Sequence, residues 1–350
     1  MADDALLIVS TLTDDEGIFV YRIADGDGRL ELVRQTAQSI SNPFFIDLHP
    51  QLDVLYSITD PGGERLVSAL SLDRAGGELS LINQQPTHGG YPCYVAADPS
   101  GRAVVVANYD GGSVASYPLA ADGSLQPAGS FIQHVGSSID ENRQQEPHAH
   151  CFWIAADGRF AFANDLGTDQ VMIYALDVEK GTLAPAEQPF ARVRAGGGPR
   201  HLTIAPDNRH AYAINELGNT ITAFDYDAER GLLLEQGMVP TLPEGYDGVT
   251  HTADLAVTPD GRFLYGTNRG HDSVAMFTRD TDSGELTPNG IEPSRGGMPQ
   301  NLTITPEGNL LFLCNTKGDK VVAFRIDGDN GRLEFSCETA MPAPVCAVLG

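Results

Sequence analysis

Lysine is nearly missing. It occurs at Lys180, Lys317 and Lys320 alone, and lysine plus arginine total 22 against 47 acidic residues, a formal charge of −25. Such a field repels polyanions, so a nucleic-acid partner, which needs a basic surface to neutralise phosphates, is excluded. A surface rich in acids and poor in lysine favours solubility and is a habit of salt-adapted proteins. Cysteine is scarce as well. Cys93, Cys151, Cys314, Cys337 and Cys346 form no C-x-x-C pair, and the odd count suits buried thiols in a reducing compartment better than a disulfide framework. No segment approaches the roughly 20 apolar residues of a membrane span, and the start MADDALLIVSTLTDDEG has no basic region ahead of its short apolar run. The expected setting is the cytoplasm, with no membrane partner. The chain also lacks a GxSxG elbow, a GxGxxG opening a helix, a P-loop and an HExxH pair, which removes the commonest hydrolase, dinucleotide and zinc-protease readings.

Punctuation, by contrast, is abundant. The 38 glycines and 22 prolines fall between short apolar runs rather than in one linker, which favours many strands joined by turns over helices. One phrase recurs: LHPQLDVLYSITD from Leu48, ADPSGRAVVVANYD from Ala97, AADGRFAFANDLG from Ala155, APDNRHAYAINELG from Ala205, TPDGRFLYGTNRG from Thr258 and TPEGNLLFLCNTKG from Thr305. Asn108, Asn164, Asn215, Asn268 and Asn315 mark one register with steps of about 50 residues, the length of a four-stranded propeller blade. Six complete units begin with the inner strands FFIDL, CYVAA, HCFWIAA, RHLTIA, ADLAVT and QNLTIT. The N-terminal ALLIVS, GIFVYRI and GRLELV supply three strands and lack the first, and APVCAVLG, from Ala343, repeats a Pro-initiated inner strand and then stops. The prediction is an all-β, seven-bladed propeller over residues 1–350, one domain and a monomer, whose C-terminal strand completes the N-terminal blade and leaves no long free edge.

Repeats serve as internal controls, because equivalent positions show what the architecture needs. The slot after the marker Asn holds Tyr109, Asp165, Glu216, Arg269 and Thr316, with Asp60 equivalent, and no scaffold rule asks for that variety. The inner-strand slot after Pro holds His148, Arg200 and Gln300, whereas Phe44, Cys93 and Val345 are apolar. In a propeller these slots meet at the mouth of the central channel, so His148, Asp165, Arg200, Glu216, Arg269 and Gln300 are expected to cluster on one side of it. His150, two residues from His148 on the same strand face, joins them as a substrate contact. A metal held by His148 and His150 lacks a third ligand of supporting spacing, so no metal and no cofactor are implied. His251 stands outside the inner slot, which falls on Ala253, and His201 and His210 read as ordinary strand residues.

QEPHAH, GGGPRHLTIAPD, YAINELGNT, PDGRFLYGTNRGHDSV and GGMPQNLTITPEGNLLFLCN together strongly resemble the seven-bladed propeller lactonase family. That family contains the propeller-type bacterial 6-phosphogluconolactonases and the fungal carboxy-cis,cis-muconate cyclases, and the resemblance covers essentially the whole chain. It implies a site of one His, two Arg and one Glu at the channel mouth, which by motif falls on His148, Arg200, Glu216 and Arg269.

Three readings follow. The leading one is hydrolysis of a sugar lactone, 6-phosphogluconolactone in the oxidative pentose phosphate route, with Glu216 or His148 as general base and Arg200 and Arg269 holding the oxyanion and the phosphate. The second is a muconate-type lactonising cyclase. The third is a binding module whose charged mouth grips a small anion or a protein loop.

Overall fold

The computed structural model describes residues 5–24, 26–36, 40–59 and 63–350. Among them 28 strands, β1 to β28 in chain order, form seven four-stranded antiparallel sheets. Six sheets run outward in chain order from an inner strand. These inner strands are β4 (Ile46–Leu48), β8 (Gly90–Ala97), β12 (Ala149–Ile154), β16 (Pro199–Ile204), β20 (His251–Val257) and β24 (Pro299–Ile304). The remaining sheet is closed from both termini: β28 (Pro344–Leu349) pairs with β1 (Leu6–Thr11) in the register Leu7↔Leu349 to Thr11↔Pro344. Each inner strand touches the next, from β28 to β4 and round to β24 and back to β28, so the ring is complete.

Turn chemistry fixes each unit. The hairpin after the inner strand closes with a left-handed residue, Gly101, Gly158, Gly261 or Gly308, and in the fifth blade Asn208 takes that conformation at φ 56°. Asparagine tolerates it because its short polar side chain lowers the left-handed penalty. Apolar clusters then occupy every blade interface: Phe312 with Leu7, Ile8 with Leu55, Tyr56 with Val104, Val105 with Phe152, Phe162 with Leu202, Ile214 with Leu264, and Tyr265 with Leu313. Middle strands such as β17 (His210–Asn215) and β25 (Leu310–Asn315) are therefore buried along their whole length, while the outer β19 (Leu232–Pro240) is largely exposed. Tyrosines staple neighbours: the Tyr56, Tyr212 and Tyr265 hydroxyls donate to the carbonyls of Gly123, Gly284 and Gly331 in the next blade, at 2.8, 2.7 and 2.8 Å. Among the described residues no helix is long and apolar enough to cross a membrane.

The inner strands β8, β12, β16 and β24 share a β-bulge that leaves one residue unpaired near the rim. It skips Cys93, His150, Arg200 and Gln300 in turn: Pro199 pairs with Asn215 and His201 with Ile214, for example, leaving Arg200 without a partner. This corrects the register expected for the fourth blade. Asp165, not Asn164, stands where Asn215 does, opposite the residue before the bulge, and Asn164 faces Cys151. The Leu166 N–H donates to the His148 carbonyl as Glu216 N–H donates to Gly198 O, so Leu166 fills the slot after the marker and His148 lies where Gly198 does. The bulged position expected for His148 belongs to His150. The hairpin turn, not the asparagine, sets the register, and Asp165 stands as far beyond Ala155 as Asn215 beyond Ala205. Asp60 lies outside the described residues.

Candidate active site

Glu216 follows the end of β17, and the residue is 4% exposed. Three guanidinium groups converge on it. Arg269 Nη2 donates to Oε2 at 2.6 Å and Arg143 Nη2 to Oε1 at 2.7 Å. Arg200 Nε stands 3.1 Å from Oε2 as an ion pair, but without hydrogen-bonding geometry. Burial alone would raise the Glu216 carboxyl, but Arg269 and Arg200, with His150 and Arg143, hold it well below the usual carboxylate range. A carboxylate so stabilised is a weak base. Its chemical service is to hold the arginines in place.

Arg200 is 1% exposed at its bulge, and its Nη1 donates to Ala253 O at 2.6 Å and to His201 Nε2 at 3.1 Å. Guanidinium cannot accept a hydrogen bond, so His201 Nε2 must carry the lone pair and Nδ1 the proton, which it donates to Asp254 Oδ1 at 2.7 Å. Burial and then Arg200 push His201 below its ordinary value, against the pull of Asp254, which keeps that tautomer neutral. Asp254 Oδ2 accepts from Asn301 Nδ2 at 2.7 Å, and Asn301 Oδ1 accepts the Ala347 N–H of β28 at 2.9 Å. The wall behind Arg200 is thus one hydrogen-bonded chain running to the closing strand. Burial, with Arg269 beside it, pushes Arg200 down to about 10, which leaves it charged at neutral pH.

Arg269 ends β21 (Phe263–Arg269) and is held on three sides. Nη2 also donates to Thr252 O at 2.9 Å, Nη1 to Gln300 Oε1 at 3.3 Å, and Nε to His251 O at 3.4 Å. Gln300 is 7% exposed. On the other flank, His148 stacks on Tyr109 with ring centroids 4.5 Å apart, and its Nδ1 lies 3.0 Å from the Tyr109 carbonyl. A carbonyl only accepts, so Nδ1 is protonated in the neutral ring and Nε2 carries the lone pair. His150 packs edge-on against Tyr109 and His201, and burial, followed by Arg200, holds it well below its ordinary value.

The expected residues His148, His150, Arg200, Glu216, Arg269 and Gln300 therefore come together, joined through Tyr109 and Glu216. Asp165 does not join them as a ligand contact. It is 0% exposed, its Oδ1 accepts from the His148 and Thr168 N–H groups at 2.9 and 3.1 Å, and its Oδ2 accepts from His134 Nδ1 at 2.6 Å. With its oxygens spent on protein donors, Asp165 sets the backbone that presents His148. Gly167 supports the same segment, since a Cβ there would overlap the Glu146 carbonyl oxygen. Thr316, in the slot after its marker, donates to Pro344 O at 2.7 Å and so braces the closing strand. Among the described residues no group of three or more His, Cys, Asp or Glu is placed to hold a metal ion.

A family model described as "Lactonase, 7-bladed beta-propeller" matches residues 6–349. The chain belongs to that lactonase family. The similarity to a 6-phosphogluconolactonase of Bacillus subtilis is 34% identity over 272 residues, covering 77% of this chain and 76% of that one. A 6-phosphogluconolactonase of Formosa agariphila is 28% identical over 305 residues, covering 85% of each. Among solved structures, the periplasmic gluconolactonase of Pseudomonas aeruginosa superposes with a TM-score of 0.92 at 30% identity, covering 99% of this chain and 98% of that one.

Two members of this cluster escaped the repeat comparison. Arg143 lies in the connection between β11 (Ser130–Gln133) and β12, which has no counterpart in the repeated phrase. His201 read as an ordinary strand residue, yet it orients Arg200. Its signal was present: the slot after the inner-strand position of Arg200 is polar in three consecutive blades, His201, Asp254 and Asn301, and is Phe45, Tyr94, Cys151 or Cys346 in the other four.

Proposed function

We propose that the chain hydrolyses 6-phosphogluconolactone to 6-phosphogluconate in the cytoplasm, as a single-domain monomer in the oxidative pentose phosphate route. The observation that carries this reading is a histidine with a fixed tautomer set beside a carboxylate that three arginines clamp. Hydrolysis of a lactone needs an activated water, a cation for the tetrahedral oxyanion and a proton for the departing ring oxygen. His148 Nε2 takes the proton from water, and the imidazolium so formed returns it to the ring oxygen as the C–O bond breaks. The Tyr109 carbonyl, accepting from Nδ1, steadies that imidazolium. Arg200 and Arg269 are held at fixed positions by strand carbonyls and Glu216, so they meet the oxyanion with little reorganisation. Names borne by the Bacillus subtilis and Pseudomonas aeruginosa proteins support a gluconolactone as substrate. Four buried, unpaired cysteines, Cys93, Cys151, Cys314 and Cys346, are in keeping with a reducing compartment.

The test is acid release from freshly made 6-phosphogluconolactone with spontaneous hydrolysis subtracted, for the wild type and His148→Gln. The variant should lose roughly a hundred- to ten-thousand-fold in kcat with unchanged melting. Near wild-type turnover would remove His148 from the mechanism, and no turnover by the wild type would end the substrate assignment.

A further inference from the structure

The three arginines at Glu216 are not equivalent. Arg200 and Arg269 sit on inner and second strands, 2% and 15% exposed in their side chains. Arg200 gives Nη1 to two protein acceptors, and Arg269 has all three nitrogens engaged. Arg143 differs on each count. It rises from the loop between β11 and β12, its side chain is 34% exposed, and its protein contacts all run through Nη2: Glu216 Oε1 at 2.7 Å and the Tyr109 hydroxyl at 3.0 Å. Its Nε and Nη1 meet no protein acceptor among the described residues. The Nη1 and Nε hydrogens therefore stand open beside His148, which stacks on the same Tyr109 ring.

The loop beneath Arg143 is built rather than loose. Asp140 Oδ1 accepts the Asn142 and Arg143 N–H groups at 2.9 and 3.0 Å, and Ser138 and Gln144 bond through their main chains at 2.9 Å. Gln144 is 0% exposed, and its Nε2 donates to Leu166 O at 2.8 Å and Asp169 Oδ1 at 2.7 Å. Asp169 in turn accepts the Gly196 and Gly198 N–H groups, both at 2.7 Å, and so ties the loop to the segment entering β16. An anchored loop that delivers a half-exposed guanidinium to a buried carboxylate has the form of a ligand clamp.

We infer that Arg143 is the residue that selects the phosphorylated substrate: its free Nη1 hydrogens take the terminal phosphate as a charge-assisted contact. This deepens the proposed lactone hydrolysis and rests on it. Glu216 and the Tyr109 hydroxyl take both hydrogens of Nη2, so the guanidinium plane is fixed and the Nη1 hydrogens are pre-set to meet phosphate oxygens. Lysine at this position would keep the charge and lose the plane. Arg200 and Arg269 are left to the ester carbonyl, which separates the binding of charge on the substrate from the handling of charge made during reaction. It also explains how a chain with a formal charge of −25 attracts an anion: three arginines face Glu216 and, one step behind, Asp254.

Arg143→Lys and Arg143→Met are assayed with 6-phosphogluconolactone and with unphosphorylated gluconolactone, alongside calorimetry with inorganic phosphate. The expected result is a KM for the phosphorylated lactone raised at least about thirty-fold in Arg143→Met, and by less in Arg143→Lys. Any loss on the unphosphorylated lactone, through weaker support of Glu216, should be at least about tenfold smaller, and phosphate binding should weaken in the same order. Equal losses on both lactones would make Arg143 a support for Glu216 and overturn the assignment, as would unchanged KM values. If the wild type cleaves neither lactone, the proposed function falls while the phosphate titration still decides Arg143: weaker binding by both variants upholds the clamp, and equal binding ends it.

Discussion

The fifth and first blades share a backbone plan and differ in what they bring to the channel. In the fifth, the bulged inner residue is Arg200 and the slot after the marker is Glu216. In the first, the bulged inner residue is Val345, 1% exposed, and Leu12 takes the slot of Glu216, its N–H donating to Ala343 O as that of Glu216 does to Gly198 O. Both interfaces of each blade are filled by apolar clusters. The propeller therefore stands without the charges, and a few positions near the rim are free to carry chemistry. The chemical side still leans on the quiet one, through the chain from Arg200 and His201 to Asp254, Asn301 and Ala347.

The severest way to break this contrast is to cut the quiet side. Removing residues from Ala343 onward deletes β28, opens the pairing edge of β1 and frees Asn301 Oδ1. The truncated chain should aggregate or melt far below the full chain and show no turnover. A soluble truncation with unchanged melting would sink the closure argument.

Next in size is Glu216→Gln. Because the carboxylate balances three guanidinium groups, losing its charge should cost about 3 kcal/mol of stability, the scale seen when one partner of a buried ion pair is removed. His148→Gln should leave melting alone while reducing turnover. Thermal scans and rates of the two variants separate anchor from base, and a Glu216→Gln protein that melts normally but is catalytically dead would return this residue to the role of base.

The most gradual effect is acid sensitivity. His150 and His201 stay neutral in the fold, whereas the unfolded chain protonates its histidines below about pH 6.5. Stability is thus complete above that pH and falls below it, by up to about 1.4 kcal/mol per pH unit for each histidine. Asp47 acts in the opposite sense: burial pushes it up to about 6, so the folded chain takes up its proton first and offsets one histidine from roughly pH 6 to 4. Glu216, whose carboxyl is depressed, adds its own loss only below about pH 4.3. Melting temperature should therefore begin to drop just under pH 6.5, and a flat profile to pH 5 would show that the histidines accept protons inside the fold.

The ring, its blade count and its closure were legible because turns, markers and strands recur, and each recurrence checks the others. Arg200 and Gln300 were legible for the converse reason, being polar where Phe44, Cys93 and Val345 are not, and Glu216 and Arg269 because their slot varies in a way no scaffold rule requires. The fourth blade misled, because Asn164 looks like the marker while the hairpin spacing puts Asp165 there. An aspartate accepting from His134 replaces an amide that elsewhere donates, as Asn268 Nδ2 does to Thr241 O. Arg143 was hidden because a connection outside the repeat has nothing to be compared with. The tautomers of His148 and His201 depend on which atoms face them across blades, and no spacing in the chain encodes that.

The closing strand also bears on the order of synthesis. β28 is made after the other strands of the ring, and the last hydrogen bond in the chain of contacts behind Arg200 belongs to its Ala347. A ribosome releasing this polypeptide holds six sheets that can pair as they emerge, and a first sheet that must wait with β1 uncovered until the end. The interval in which that edge is open, and a chaperone has something to bind, is set by translation time rather than by any property of the finished ring.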